Sequence, residues 1–197
     1  MTVMGRPREF DIDKALEQAL HLFWRKGYEG TSITDLTDVI GITKPSLYAA
    51  FGNKEELFRK AFDRYVDGHG GYVQLALARP TAREVVEHLL YGAADAVTNP
   101  ENPPGCLAIQ GALCCGDTAE TIKHELMARR AKGEDDLRKR FQRAVDEGDL
   151  AKDTDPVDLA RYVSAIVQGM AVQAIGGAGR DDLRRVANLT MRNWPPA

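Results

Sequence analysis

Residues 31–57 read TSITDLTDVIGITKPSLYAAFGNKEEL, and this stretch decides the fold. A hydroxyl at Thr31 or Ser32 accepts from the open amides that begin a helix. Ile33, Leu36, Val39 and Ile40 then recur at steps of three and four, which places them on one buried face. Gly41 tolerates the left-handed backbone of a sharp corner. Thr43 offers a fresh N-cap, and Pro45 falls in the first turn, where its missing amide costs nothing. Two short helices therefore meet at a stiff angle, the layout of a helix-turn-helix.

On the second of these helices Leu47, Ala50 and Phe51 share the inward side. Lys44, Pro45, Ser46, Tyr48 and Ala49 are left outward or flanking. Lys44 can donate to guanine or to phosphate, and Thr43 and Ser46 can donate or accept at either. Pro45 and the Tyr48 ring can pack against a thymine methyl or a sugar edge. The plainer reading of the same residues is a solvated turn between two packing helices.

The string from Gly41 to Leu57, GITKPSLYAAFGNKEEL, resembles the signature of the tetracycline-repressor (TetR) family, a G-x-x-x-x-x-L-Y-x-H-F-x-x-K-E-x-L pattern after a helix that begins with paired threonines. The resemblance implies an all-α homodimer with a small N-terminal DNA-binding domain and a larger C-terminal domain that senses a ligand. Two positions depart from the pattern. Ala50 replaces a histidine, which removes a phosphate donor, and Ser32 replaces the second threonine, which keeps the capping hydroxyl.

Around this centre the chain divides at about residue 65. Residues 1–65 form the expected helix-turn-helix domain with an N-terminal arm, and residues 66–197 the sensing and dimerisation domain. A first helix, Ile12 to Lys26, presents Leu16, Ala19, Leu20 and Phe23 as core and stops at Gly27. Asn53 with Glu56 forms a capping box that starts a fourth helix through Tyr65. Lys54, at its opening, has two readings: a solvated lysine, or a phosphate contact helped by the open helix amides. The family likeness favours the phosphate. In the arm, Gly5-Arg6-Pro7 with Arg8 has the chemistry of a minor-groove hook, against the alternative of a merely soluble tail.

Composition sets bounds. The 197 residues carry 26 Lys and Arg against 29 Asp and Glu, a formal net charge of −3. Duplex binding relies on cations that release condensed counterions, so the net charge taken alone argues against nucleic acid. Placement reverses that argument: Arg6, Arg8, Lys44 and Lys54 would flank the reading surface, while much of the acid comes later in the chain. No apolar run is long enough to cross a bilayer and no signal-peptide pattern opens the chain, so the expected location is cytoplasmic.

Beyond residue 66 the pattern is helical throughout. Thr81 with Glu84 caps a helix to about Val97, TNPENPPG is a loop, Cys106 to Cys115 is a short apolar helix, and Glu120 to Glu147 is long and charged. Asp155-Pro156 opens a helix through Ala174, and Asp181 to Trp194 gives the last. Apolar residues surround these final two helices more fully than one core face requires. Tyr162, Ile166, Gly169, Met170, Leu183, Val186 and Thr190 are the expected dimer seam, with a monomeric core as the alternative.

The effector side is less legible. His88, Tyr91, Gln110, Cys114, Tyr162 and Met170, together with Cys106, are candidates to line a ligand cavity, each also explicable as packing. Gly105-Cys106-Leu107 resembles an element at the start of the sixth helix in one TetR branch whose regulators respond to electrophiles and oxidants. That likeness makes Cys106 a modifiable sensor, against the alternative of a small buried apolar residue. The histidines His21, His69, His88 and His124 are scattered, so no metal and no cofactor are expected. A cysteine-dependent enzyme is the alternative function, and no motif places a base beside Cys106.

Overall fold

The chain is seen in a computed structural model that describes residues 10–113 and 119–194, the side chains of residues 111–113 excepted. Ten helices follow one another among the described residues: α1 Ile12–Lys26, α2 Ile33–Ile40, α3 Lys44–Phe51, α4 Lys54–Asp67, α5 Tyr72–Leu77, α6 Ala82–Val97, α7 Leu107–Leu113, α8 Glu120–Glu147, α9 Pro156–Ile175 and α10 Arg180–Arg192.

Most of these helices begin where a side chain can close the open amides. Ser32 and Asp35, Asn53 and Glu56, and Thr81 and Glu84 form capping boxes for α2, α4 and α6. Thr43 caps α3 ahead of Pro45, and Asp155 caps α9 ahead of Pro156. Gly41 closes α2 with φ of 76°, the left-handed conformation that lets α3 leave at a sharp angle. The short α5 has no side-chain cap. Its place is set by packing on α6, which explains why periodicity alone passed over it.

Two apolar clusters hold the helices. The first joins α1–α4 around Leu20, Phe23, Trp24, Leu36, Leu47, Phe51, Leu57 and Phe58, and it also takes in Leu107 of α7 and Ile122 and Leu126 of α8. The second gathers α6, α9, α10 and the far part of α8 around Val86, Leu90, Phe141, Val163, Met170, Leu183 and Trp194. The α7 helix belongs to both, because Leu107 packs into the first cluster and Ile109 into the second.

The α4 helix is tied on two sides by ion pairs. Arg64 reaches Glu17 at 2.6 Å and Asp13 at 3.0 Å on α1. Toward α8, Arg59 meets Glu125 at 2.8 Å, Arg129 meets Asp63 at 2.8 Å, and the Arg129 guanidinium lies 4.8 Å from the Phe62 ring centroid. Each exposed pair contributes little alone, but together they fix how α4 sits between its neighbours.

Candidate DNA interface and sensor site

On α3, Leu47 and Phe51 are buried in the first cluster while Thr43, Lys44, Pro45, Tyr48 and Ala49 face solvent. Tyr48 is 48% exposed, a large aromatic with no intrachain reason to project. Ser46 is half-buried, its hydroxyl 2.9 Å from that of Thr43, which also accepts from the Ser46 amide at 3.4 Å. The outward set therefore stands on a short helix whose start is fixed by its cap and whose back is locked into the core.

Three neighbouring positions need correction or refinement. Thr31 is fully buried and its hydroxyl donates to the Gly27 carbonyl at 2.8 Å, so its side chain holds the α1–α2 turn and is not presented on the surface expected to meet DNA. The Ser32 hydroxyl donates to Asp35 at 2.7 Å, and Asp35 also meets Lys26 at 2.8 Å. Those bonds to Lys26 and Ser32 hold the Asp35 carboxyl well below the usual carboxylate range. Lys54 lies with its ammonium 4.2 Å from the Tyr28 ring centroid. Burial lowers its pKa, against the pull of Glu29 and Asp35. Arg6 and Arg8 fall outside the described residues.

In the C-terminal half a cavity of about 200 Å³ opens between α5, α6, α7, α8 and α9. Its wall is mostly apolar, including Tyr72, Leu89, Ile109, Leu137 and Val167, with Arg130, Glu134, Ser164 and Gln168 as the polar groups and Cys106 at its edge. Of the candidate lining residues that the structure describes, Cys106 lies at this cavity. His88 and Tyr91 border a separate groove with Leu75 and Arg79, and Tyr91 donates to Asn188. Gln110 donates to the Pro104 carbonyl at 3.1 Å, Tyr162 is exposed, Met170 is core, and Cys114 lies outside the described residues. Arg130 and Gln168 were missed because charge and amide on long helices read as solvent-facing.

Cys106 immediately precedes α7 and is partly buried, in contact with both apolar clusters. The Tyr65 hydroxyl donates to its sulfur at 3.2 Å. Burial first, then the neighbouring thiol, push the Tyr65 pKa well above the ordinary value, so this phenol stays protonated and acts as a donor. Gly105 makes the approach possible. Its φ is +87°, and a Cβ there would lie 2.5 Å from Ile175 Cγ1 on α9.

The expected dimer seam divides into two sets. Met170, Leu183 and Thr190 turn inward and are buried within the single chain, Thr190 donating to the Val186 carbonyl at 3.0 Å. Tyr162, Ile166, Gly169 and Val186 are instead wholly or partly exposed. Leu189 at 55% exposure, part of the apolar pattern already read on the last helix, joins that outer stripe, as does Val172 at 47%, which was not anticipated.

His21 and His69, distant in sequence, converge with Glu17 where α1 meets the turn after α4. No helix among the described residues is long and apolar enough to cross a membrane.

Comparison with known proteins agrees with this architecture. Residues 15–61 match the model of bacterial regulatory proteins of the tetR family, and residues 82–188 match the tetracyclin repressor-like C-terminal domain. The HTH-type transcriptional repressor ComR of Escherichia coli (strain K12) is 34% identical over 193 residues, covering 97% of this chain and 92% of its own. The uncharacterised HTH-type transcriptional regulator YezE of Bacillus subtilis (strain 168) is 34% identical over 169 residues, covering 82% of this chain and 84% of its own. Two structures of cysteine mutants of the TetR family regulator CifR complexed with 26 bp double-strand operator DNA have TM-scores of 0.90 and 0.91 at 41% identity. They cover 96% and 97% of this chain and all of their own. The cysteine-enzyme alternative gives way to this evidence, and the chain belongs to the TetR family of DNA-binding transcriptional regulators.

Proposed function

We propose that this protein is a homodimeric repressor that grips double-stranded operator DNA through α3 and lets go when its C-terminal half takes up a small molecule or when Cys106 is modified. The observation that carries the reading is the outward face of Lys44, Pro45 and Tyr48 on a helix whose cap and buried side leave it no other freedom. In this reading residues 1–65 are the reader and residues 66–197 the sensing and dimerisation part. A DNA partner places the protein in the cytoplasm.

Operator contact follows general rules of groove recognition. Phosphate contacts from Thr43 and Ser46, and from Lys54 only once it leaves Tyr28, would set the register, while Lys44 and Tyr48 would meet base edges. Arg6 would supply the minor-groove arm. The relatives ComR and CifR support the assignment, since the first is named a transcriptional repressor and the second, a transcriptional regulator, is seen with operator DNA.

Dimerisation meets a geometric demand, because two readers must enter successive major grooves roughly 34 to 36 Å apart. The exposed stripe of Tyr162, Ile166, Gly169, Val172, Val186 and Leu189 is the surface proposed for it. Gly169 supports the choice. Among the described residues a Cβ there would meet nothing within 4 Å, so none of them asks for a helix-weakening glycine, whereas a close partner helix would.

Release requires an effector that binds one arrangement better than another. The cavity edge carries Cys106, so a small apolar molecule and an electrophile would act at the same joint. The α7 helix, anchored by Leu107 in one cluster and Ile109 in the other, would pass that strain to α4 through Tyr65. Selection of a duplex from a randomised library, followed by anisotropy titration before and after N-ethylmaleimide, tests the proposal. Release in the wild type but not in Cys106→Ser supports it.

A further inference from the structure

Glu17 and His21 stand one turn apart on α1, and His69 comes to meet them from the turn after α4. His21 Nε2 and His69 Nε2 lie 3.4 and 3.5 Å from the same Glu17 oxygen, and all three donor atoms fall within 4.8 Å of one another. A tetrahedral ion with bonds of about 2.0–2.1 Å keeps neighbouring donors about 3.3–3.4 Å apart, so the two Glu17–histidine separations match edges of such a polyhedron.

The surroundings are organised for this role. The second Glu17 oxygen is held by Arg64 Nε at 2.6 Å, which orients the first oxygen toward the imidazoles. The Asn102 amide lies 3.2 Å from His69 Nδ1, where its oxygen, after a flip, would accept the Nδ1 proton and free Nε2 as a ligand. The Trp24 and Tyr65 rings stand 5.2 and 6.0 Å from the His69 ring and fix its plane. His21 Nε2 is buried, and its 3.4 Å contact with Glu17 does not have hydrogen-bond geometry, so its lone pair or proton is left to a further partner. Glu17 and His69 line an open groove with Lys60, Asp63 and Asp67, through which an ion can enter.

We propose that Glu17, His21 and His69 bind a divalent first-row transition-metal ion of the zinc or nickel type, with a fourth position open to water. Two imidazoles and one carboxylate are the donor set such ions prefer, while calcium and magnesium call for all-oxygen shells. The site pins α1 to the end of α4 and, through Asn102, to the loop between α6 and α7. Metal occupancy would therefore restrain the C-terminal end of α4 against α1. This site rests on its own geometry and stands whether or not the DNA reading holds.

The test uses tag-free, metal-stripped full-length protein titrated with ZnCl₂, and separately with NiCl₂, against a competing chelator dye. One ion per chain is expected, weakened tenfold or more in both His69→Ala and Glu17→Gln, with a zinc-dependent rise in Tm that these variants lose. Their circular dichroism melts without metal control for folding, since His69 is partly buried against Trp24 and Tyr65. Absence of stoichiometric binding by the wild type overturns the proposal. So does binding that survives both substitutions and disappears when the cysteines are alkylated.

Discussion

The Tyr65 hydroxyl on α4 donates to Cys106 Sγ at 3.2 Å, and this bond joins the helix behind the reader to the residue at the edge of the cavity. It spans the two apolar clusters at the point where both touch Cys106. Tyr65→Phe keeps the ring packing against Trp24 and removes only the donor. It should cost about 0.5–1.5 kcal/mol of stability by urea unfolding. N-ethylmaleimide should also label Cys106 faster. Unchanged labelling and stability would mean that the contact has no part in the joint.

Gly105→Ala should destabilise by about 1–3 kcal/mol, because the left-handed backbone and the crowding by Ile175 both oppose a side chain. Gly169→Ala, with open space around it, should leave the single chain unharmed and even favour its helix. Urea midpoints of the two variants side by side check the contrast.

The outer stripe on α9 and α10 gives a sizing prediction. Tyr162→Glu and Leu189→Glu place charge on exposed positions and should leave each chain folded, as judged by circular dichroism. Size-exclusion chromatography with light scattering should then report a monomer with lost duplex affinity. A dimer that persists in both variants would move the seam elsewhere.

Acid should loosen α4 in a predictable direction. Glu125 is partly desolvated, which raises its pKa, but bonds from Arg59 and Arg129 outweigh this and hold it below the ordinary value. Glu17 is lowered in the same way, against its burial, by Arg64 and His69. A carboxylate depressed in the folded state stabilises fully above its unfolded pKa of about 4.3, and that stability fades as pH falls through the lower folded value. Urea midpoints should therefore decline below about pH 4.5, and less steeply in an Arg59→Gln, Arg129→Gln double variant. Parallel declines would remove Glu125 from the explanation.

The elements that could be read from sequence were those with local punctuation. Caps at Ser32, Thr43, Asn53 and Thr81 and the corner at Gly41 lie within a few residues of what they control. Position decided the rest. Thr31 and Ser32 are neighbours of like chemistry, yet only the fold turns one into the core and the other to the surface. On α9 and α10 an apolar residue faces either the chain's own core or the outer stripe, and the alphabet is the same for both. The cavity draws polar lining from Arg130 and Gln168 on helices far apart in sequence, and the Glu17, His21 and His69 cluster joins two distant stretches. Periodicity has no access to such meetings.

The most direct test of the account is duplex affinity at one stated salt concentration for wild type, Lys44→Ala and Tyr48→Ala, on a sequence selected by the wild type. Each substitution should weaken specific binding by roughly 1–3 kcal/mol while dimer size and melting stay as they were. Wild-type affinity in both variants would contradict the assignment of α3 as the reading helix.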